Sequence, residues 1–225
     1  MVKPNDQRQA GTARLPGAHD GDTEHRILEA AHAVFLRRGT AGARMQEIAD
    51  EAGVNKALLH YYFRTKDRLA QAVFQRAAQQ LFPSVLAALA SDTPLEAKVA
   101  QVVQLELDHL TRRPYLPGYI LSELHHHPDR LTQLIPLMLG VPLDEARRGL
   151  FTVLRHQIDE RVRAGTMRRI APEQFVVNLL ALCVFPFAAR PMLMAMLGFD
   201  AADFEQFIAR RRKELVPFFL GALRP

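Results

Sequence analysis

Residues 45–63 read MQEIADEAGVNKALLHYYF, in which two short amphipathic patterns meet at Gly53. Apolar residues recur at helical spacing on both sides of this glycine. They are Met45, Ile48, Ala49 and Ala52 before it, and Val54, Leu58 or Leu59, and Phe63 after it. Because glycine adopts backbone dihedrals that strain other residues, Gly53 lets two short helices cross steeply. The pattern predicts a helix-turn-helix, although any helical hairpin with a glycine corner has the same features.

Four side chains of the second predicted helix point away from its apolar stripe, namely Asn55, Lys56, His60 and Tyr61. They supply donors, acceptors and an aromatic edge that suit phosphates and base edges in the major groove of DNA. The alternative is an ordinary solvated surface. Leu58, Leu59, Tyr62 and Phe63 are expected to pack in or beside the core, with Tyr62 a candidate for a DNA contact as well.

Residues 27–39, ILEAAHAVFLRRG, followed by residues 45–69, MQEIADEAGVNKALLHYYFRTKDRL, resemble the DNA-binding domain of TetR-family transcriptional regulators. The resemblance covers about residues 23–69 and is specific, because it joins the first helix, the glycine corner and the recognition helix. It implies a DNA-binding set that consists of Arg44, Gln46, Asn55, Lys56, Ala57, His60, Tyr61, Tyr62 and Lys66.

Three positions depart from the usual family pattern. Arg44 stands where a threonine or serine commonly opens the second helix. It cannot cap that helix, which costs about 1 kcal/mol, but its charge can still reach a phosphate. Asn55 replaces a common serine and His60 a common tyrosine. We therefore expect an operator sequence that differs from those of better-known relatives.

The first part of the chain is expected to be a tail followed by a small helical domain. Residues 1–21 mix Pro, Gly, Gln, Asn and charge without an apolar run, which predicts a disordered tail and no signal peptide. Residues 22–65 are predicted to form a three-helix domain. Its first helix is expected to be capped by Asp22 or Thr23 and to end at Gly39.

Residues 66–225 are predicted to form an antiparallel bundle of six or seven helices for ligand binding and dimerisation, so the fold class is all-α. The long helix that begins at Lys66 contains Pro83, which removes one backbone hydrogen bond. We expect a kink or break near residue 80. Because the resemblance implies that this helix transmits the ligand state, Pro83 is a candidate pivot.

Composition fits a folded protein, since 48% of the 225 residues are hydrophobic and 24% are charged. The 29 basic and 24 acidic residues give a net charge of +5, which supports a nucleic-acid partner only weakly because no segment is a basic arm. Cys183 is the single cysteine, which excludes a disulfide within the chain and a cysteine-based zinc site. A reducing, cytoplasmic location is expected.

Residues 179–199 form an apolar run of membrane-spanning length that Arg190 interrupts. Because the flanking segments are amphipathic, a helix buried in a protein interface is favoured over a membrane span. No membrane partner is predicted.

Two predicted helices near the end, at about residues 172–197 and 201–221, are unusually apolar, which favours a homodimer. The predicted interface residues are Phe175, Leu179, Phe187, Phe204, Phe207, Ile208 and Phe218. The resemblance implies the same interface, a four-helix bundle with two helices from each subunit. Two-fold symmetry then predicts a pseudo-palindromic DNA operator with half-sites about 34 to 36 Å apart, or a multiple of that distance.

A pocket for a small hydrophobic or aromatic effector is predicted among residues 95–190. Its candidate lining residues are His109, Tyr115, Tyr119, Glu123, His125, Met138, Phe151 and His156. Residues 125–127 are three consecutive histidines, which on a helix point about 100° apart and cannot hold one ion. No metal or other cofactor is predicted.

The predicted function is a homodimeric regulator, with repression implied by the resemblance, that leaves its operator when a small molecule binds. One alternative is a DNA-binding regulator that has no small-molecule ligand. This alternative includes an activator. A helical enzyme is a remote alternative, because the sequence has no G-x-S-x-G, no H-E-x-x-H, no phosphate loop and no glycine fingerprint.

Overall fold

The structure is a computed structural model that describes residues 18–225, and in that range the chain forms eleven α-helices and no β-strand. The predicted all-α fold class is confirmed. In chain order the helices are α1 (Ala18–Gly42), α2 (Met45–Ala52), α3 (Lys56–Tyr62), α4 (Lys66–Ala90), α5 (Leu95–Arg112), α6 (Leu116–His126), α7 (Asp129–Leu139), α8 (Leu143–Arg163), α9 (Pro172–Ala188), α10 (Arg190–Leu197) and α11 (Ala201–Gly221).

Helices α1–α3, called the N-terminal part below, share one apolar core with the start of α4. Its most deeply buried residues, none more than 2% exposed, are Ile27, Ala31, Val34, Phe35, Ile48, Ala49, Leu59 and Leu69. Leu59 is fully buried, whereas Leu58 is 36% exposed. Leu59 is therefore the leucine of the second apolar stripe, and the core position expected for Leu58 is wrong because that side chain lies at the surface.

Helix α1 begins earlier than predicted, and Asp22 and Thr23, the expected caps, lie inside it. Residues 18–21 are therefore helical, while residues 1–17 of the predicted tail lie outside the described residues. Gly39 interrupts α1 at the predicted place, with φ 67° and ψ 160°. A side chain at this φ would be strained, so glycine suits the break.

Helix α4 runs from the N-terminal part into the rest of the chain and continues through Pro83 without a break. Thr65 caps its start, because the hydroxyl accepts a hydrogen bond from the Arg68 N–H at 3.2 Å. Near the end of α4, the Leu89 carbonyl accepts a hydrogen bond at 2.8 Å from Lys98, a fully buried residue of α5. The break expected near residue 80 is wrong, since the helix is continuous through Pro83 and packs on α5 and α8. A kink without a break at this place stays a prediction.

Helices α4–α11, called the larger part below, number eight where six or seven were predicted. Helix α5 packs on α4, α9 and α11, while α6 packs on α9, α4 and α1. The additional helix arises at Ala189, whose backbone (φ −100°, ψ 17°) separates α9 from α10 at a bend of 72°. Within residues 18–225 no single helix is long and apolar enough to cross a membrane, although this bent pair together has the length and composition of a span.

The residues predicted for a dimer interface divide into two groups. Five of them are at most 4% exposed within the single chain, namely Phe175, Leu179, Phe187, Phe204 and Ile208. The chain itself supplies their neighbours, as when the Phe175 ring packs on Phe219 with centroids 5.2 Å apart. This corrects their assignment to an exposed interface. Phe207 is half-buried, and Phe218 is 63% exposed.

Candidate nucleic-acid interface

The turn between α2 and α3 is closed by its own backbone. Gly53 takes the left-handed conformation, with φ 63° and ψ 36°. Its N–H donates to the Asp50 carbonyl at 3.1 Å, and the Val54 N–H donates to the Ala49 carbonyl at 3.0 Å. These two bonds form a Schellman motif, which favours glycine because a Cβ is strained at this φ. The predicted glycine corner of the helix-turn-helix is confirmed.

Arg26 of α1 holds the same corner from outside. Its Nη2 donates to the Ala52 carbonyl at 2.7 Å and to the Gly53 carbonyl at 3.3 Å. The guanidinium thus satisfies carbonyls at the end of α2 and places a positive charge at the negative end of that helix. No local pattern in the sequence marks this role, because Arg26 lies 26 and 27 residues from its partners.

Asn55 starts the recognition helix α3. Its Oδ1 accepts a hydrogen bond from the Leu58 N–H at 2.7 Å, so the side chain is the N-cap. Asparagine is among the best N-cap residues, so the residue type at position 55 is the feature of the sequence that indicates an N-cap. The amide NH2 is the part of Asn55 left for a contact with DNA.

The outward face of α3 presents four of the predicted DNA-binding residues. Lys56, Ala57, His60 and Tyr61 are all exposed, and Tyr61 is 74% exposed. The half-buried Tyr62 packs on the core, and its ring lies edge-on to that of Tyr61 with centroids 5.4 Å apart. One short helix therefore presents a cation, an imidazole and a phenol to solvent.

The His60 ring has one nitrogen beside the backbone and one that remains open. Nδ1 lies 3.3 Å from the Arg64 carbonyl. In the tautomer that makes this hydrogen bond, Nδ1 donates and Nε2 is an acceptor. Such an acceptor suits the amino groups of adenine or cytosine in the major groove. Arg64, just after α3, and Arg68, in the first turn of α4, are exposed cations outside the predicted set.

Two of the three carboxylates of α2 are neutralised by arginines of α1. Residues 53–66 contain three basic residues and no acidic one. On α2, Glu51 pairs with Arg37 at 2.7 Å and Glu47 pairs with Arg38 at 3.5 Å. Asp50, the third acid of α2, bonds the neutral Gln46 amide, so α2 leaves one carboxylate without a cation beside the three basic residues of 53–66. The net charge around α3 is therefore positive, which favours a polyanionic partner.

Arg44 and Gln46 lie at the start of α2. Arg44 is exposed and precedes the helix without a side-chain cap, as its residue type predicts. Gln46 is exposed, and its amide donates to the Asp50 carboxylate at 2.8 Å. Arg44 is thus the less constrained of the two for a phosphate contact.

Lys66 has a structural role that its position in the sequence does not show. Its Nζ donates to the carbonyls of Ala41 at 2.9 Å and Ala43 at 3.2 Å. The amine thereby ties the connection between α1 and α2 to the start of α4. A contact between Lys66 and a DNA phosphate stays a prediction.

Three of the predicted effector residues meet at one cavity of about 370 Å³. Tyr115, Tyr119 and Glu123 line it from α6 and the residue before that helix, and α1 lines it as well. Tyr119 is buried, its hydroxyl lies 3.5 Å from the Ala70 carbonyl, and burial raises its pKa. The tyrosine is therefore neutral near pH 7.

The other predicted effector residues do not line this cavity. Met138 and Phe151 are half-buried against the core, and the half-buried His109 lies on α5. His156 is exposed, with Nε2 3.3 Å from a Glu160 carboxylate oxygen. The exposed His125 lies near the end of α6, and the described residues hold no group of three or more His, Cys, Asp or Glu that could bind a metal.

Known proteins match this chain at the sequence and structure levels. Residues 27–73 match the family model of bacterial regulatory proteins, tetR family. The HTH-type transcriptional repressor SCO4008 of Streptomyces coelicolor is 44% identical over 134 residues, which cover 58% of this chain and 68% of the relative. The HTH-type transcriptional activator FasR of Mycolicibacterium smegmatis is 38% identical over 84 residues, 37% of this chain and 38% of the relative.

The crystal structure of HlyIIR, a hemolysin II transcriptional regulator, superposes with a TM-score of 0.57 at 23% identity. The match covers 91% of this chain and 98% of that chain. The likeness extends beyond the N-terminal part, so the larger part shares its fold with a solved regulator.

Proposed function

The chain belongs to the TetR family of bacterial regulatory proteins, and we propose that it is a ligand-responsive repressor that binds a pseudo-palindromic operator as a homodimer. Its relatives are named as transcriptional regulators, so the chain is a DNA-binding regulator and not an enzyme. In the proposal, a small molecule bound in the larger part releases the operator.

The exposed face of α3 is the observation that carries this function. Lys56, His60 and Tyr61 project from a helix whose start is held by the Asn55 cap and whose preceding turn is held by Arg26. A helix with buried Leu59 on its inner side keeps these groups in one orientation. Such a helix suits the major groove, with Lys56 placed for a phosphate and His60 and Tyr61 for base edges.

The exposed apolar side chains of α9 and α11 support the homodimer. Val177, Phe185 and Phe218 are 60%, 52% and 63% exposed. A groove lined by residues of α9 and α11 lies beside Phe185 and Phe218. Burying this surface against the same surface of a second copy gives an isologous interface, which pairs two recognition helices with two half-sites.

The direction of regulation is proposed from the relatives. The match to a named repressor extends over 134 residues, whereas the match to a named activator covers 84, and the repressor match is thus the longer of the two. A second candidate is an activator, a direction that the 38% identity to a relative named as an activator supports. A reporter gene placed behind the bound operator separates repression from activation.

Selection of bound duplexes from a random pool tests the proposal. We expect a pseudo-palindrome whose half-sites lie about one helical turn apart, or a multiple of it. Lys56→Ala is expected to weaken binding to all sequences, while Lys213→Ala, a matched change on the distant α11, leaves binding unchanged. Failure of the pure protein to bind any duplex at low salt would exclude the regulator function.

A further inference from the structure

Two cavities meet at Arg190, the first residue of α10. The first, of about 370 Å³, is lined by residues of α1, α6, α9 and α10. The second, of about 230 Å³, is lined by residues of α5, α9, α10 and α11. Both are lined by Pro114, Phe187 and Arg190. Their combined size lies in the range of sites for small organic molecules.

Arg190 is chemically unusual among the residues that line these cavities. Its Cζ lies 4.8 Å from the centroid of the Phe204 ring. Its Nε is buried and has no hydrogen-bond partner among the described residues. A buried donor of this kind gains from an acceptor, and a guanidinium gains most from a carboxylate, which accepts two parallel hydrogen bonds.

In the first cavity, the nearby acidic side chain is already paired with a cation, so it does not strongly repel an anion at Arg190. Glu123 lines that cavity, but it already forms an ion pair with Arg130, which offsets its charge. Glu205 lines the second cavity and is exposed. An anion at Arg190 also lies near the positive N-terminal end of α10.

The walls of the first cavity are mostly apolar. Phe35 and Leu36 of α1 face it together with Phe187 of α9 and Pro191 of α10. Tyr115 lines it as well, and its ring packs on that of His32 with centroids 5.2 Å apart. Burial lowers the pKa of His32, so this imidazole is neutral and adds no cation to the cavity.

We propose that this junction between α1, α6 and α10 binds an organic monocarboxylate with an apolar or aromatic body. The carboxylate pairs with the Arg190 guanidinium, and the body lies against Phe35, Tyr115 and Phe187. The inference rests on the proposed function, since it treats the ligand as the effector, and it adds the effector's chemical class and its place.

The first cavity borders a series of polar contacts between the two parts of the molecule. The Thr40 hydroxyl, after the break in α1, donates to Glu123 of α6. Glu123 pairs with Arg130 of α7, and Arg130 also pairs with Asp67 of α4 at 2.8 Å. Both Thr40 and Glu123 line the cavity, so a ligand body wedged between α1 and α6 changes the spacing that this contact requires. A ligand that prefers the altered spacing weakens operator binding.

Isothermal titration calorimetry on the full chain tests the site. The probes are octanoate and 4-phenylbutyrate, each compared with its primary amide. We expect both carboxylates to bind at least about 10-fold more tightly than their amides, because only the carboxylates pair with the guanidinium. Equal affinity of acid and amide, or no binding of either carboxylate, would overturn the proposal.

Two variants locate the site. Arg190→Gln is expected to weaken carboxylate binding at least about 10-fold and leave the amides unchanged, whereas Arg148→Gln, an exposed arginine of α8, changes neither. Gly118→Leu is expected to block acids and amides alike, because Gly118 lines the cavity and a Cβ built there meets no atom within 4 Å. Undiminished carboxylate binding in Gly118→Leu would overturn the site, and a thermal melt shows that this variant is folded.

Operator binding is measured in parallel by fluorescence anisotropy with a duplex from the selection. If the wild-type chain binds the operator but neither carboxylate, the inference is overturned and the DNA-binding function stands. A chain that binds carboxylates at Arg190 but no duplex keeps the site and overturns the regulator function. Carboxylate binding that leaves operator affinity unchanged overturns the effector role assigned here.

Discussion

The N-terminal part and the larger part of the molecule differ in how their polar side chains are bonded. In the N-terminal part, Arg26 and Asn55 each bond a backbone group that fixes a turn or a helix end, and Lys66 at the start of α4 bonds two carbonyls where α1 meets α2. Among the described residues, five buried side-chain atoms lack a partner, in His32, Glu106, His109, Gln157 and Arg190. Four of these residues lie in the larger part, and His32 packs on Tyr119 of α6 and on Tyr115 just before that helix. One part is thus built for a fixed geometry, and the other keeps unpaired groups at which a ligand or proton can act.

The largest loss of stability is expected when the buried residue that holds α3 on the core is truncated. Leu59→Ala removes a fully buried side chain and should lower the free energy of unfolding by about 3 to 4 kcal/mol. Leu58→Ala, at the adjacent and 36% exposed position, should cost less than about 1 kcal/mol. Urea unfolding measures both. Equal costs for the two leucines would show that α3 is not held by its inner face.

Glu106 tests the unpaired groups of the larger part. This carboxyl on α5 is 3% exposed, and burial raises its pKa to about 7, above the ordinary value of 4.5. Below pH 4.5 the Glu106 carboxyl is protonated in both the folded and the unfolded states, so it does not lower the free energy of unfolding there. As pH rises to 7 the unfolded chain loses the proton first, and about 3 kcal/mol of stability is lost.

Urea unfolding at pH 5 and pH 8 measures this loss in the wild type and in Glu106→Gln. The difference between the two proteins isolates Glu106 from other titrating groups, and Glu214→Gln, an exposed carboxyl of α11, serves as the matched control. We expect Glu106→Gln to remove the loss and Glu214→Gln to retain it. An unchanged pH dependence in Glu106→Gln would show that a group other than Glu106 causes the loss of stability.

Asn55 tests whether a polar group of the N-terminal part serves both the fold and DNA. Asn55→Ala removes the cap and should lower the free energy of unfolding by about 1 kcal/mol. Asn55→Asp keeps an acceptor for the Leu58 N–H, so stability should be retained while the added negative charge weakens DNA binding. Thermal melts and anisotropy measure the two effects. Equal DNA affinity of Asn55→Asp and wild type would assign Asn55 to the fold alone.

Much of the structure of the N-terminal part could be predicted from local patterns in the sequence. The apolar stripes and Gly53 depend on neighbours within a few residues, so periodicity and backbone preference predict them. Arg26 escaped prediction because it acts on carbonyls 26 and 27 residues away. The outward residues of α3 followed directly once its inner stripe was identified.

The larger part was less predictable because its decisive contacts are distant in sequence. Thr40 and Glu123 are 83 residues apart, and no local pattern indicates that they meet. Phe175 and Phe204 were expected at a subunit interface, since hydrophobicity shows that a ring is buried but not which helix covers it. Their placement required the packing of α5, α9 and α11.

The smallest effect distinguishes Lys56, the first residue of α3, from Lys66, the first residue of α4. Lys56→Ala should lower the slope of log affinity against log salt by about one unit, because one phosphate contact releases about one counterion. Lys66→Ala should change that slope by less than about half a unit, since its amine is bonded to the Ala41 and Ala43 carbonyls, and should instead lower stability by about 1 kcal/mol. Anisotropy at several salt concentrations and a urea titration measure both quantities. A full unit of slope lost in Lys66→Ala would mean that this amine turns from the backbone to a phosphate when DNA binds, and the N-terminal part would then be less fixed than its contacts in the free chain indicate.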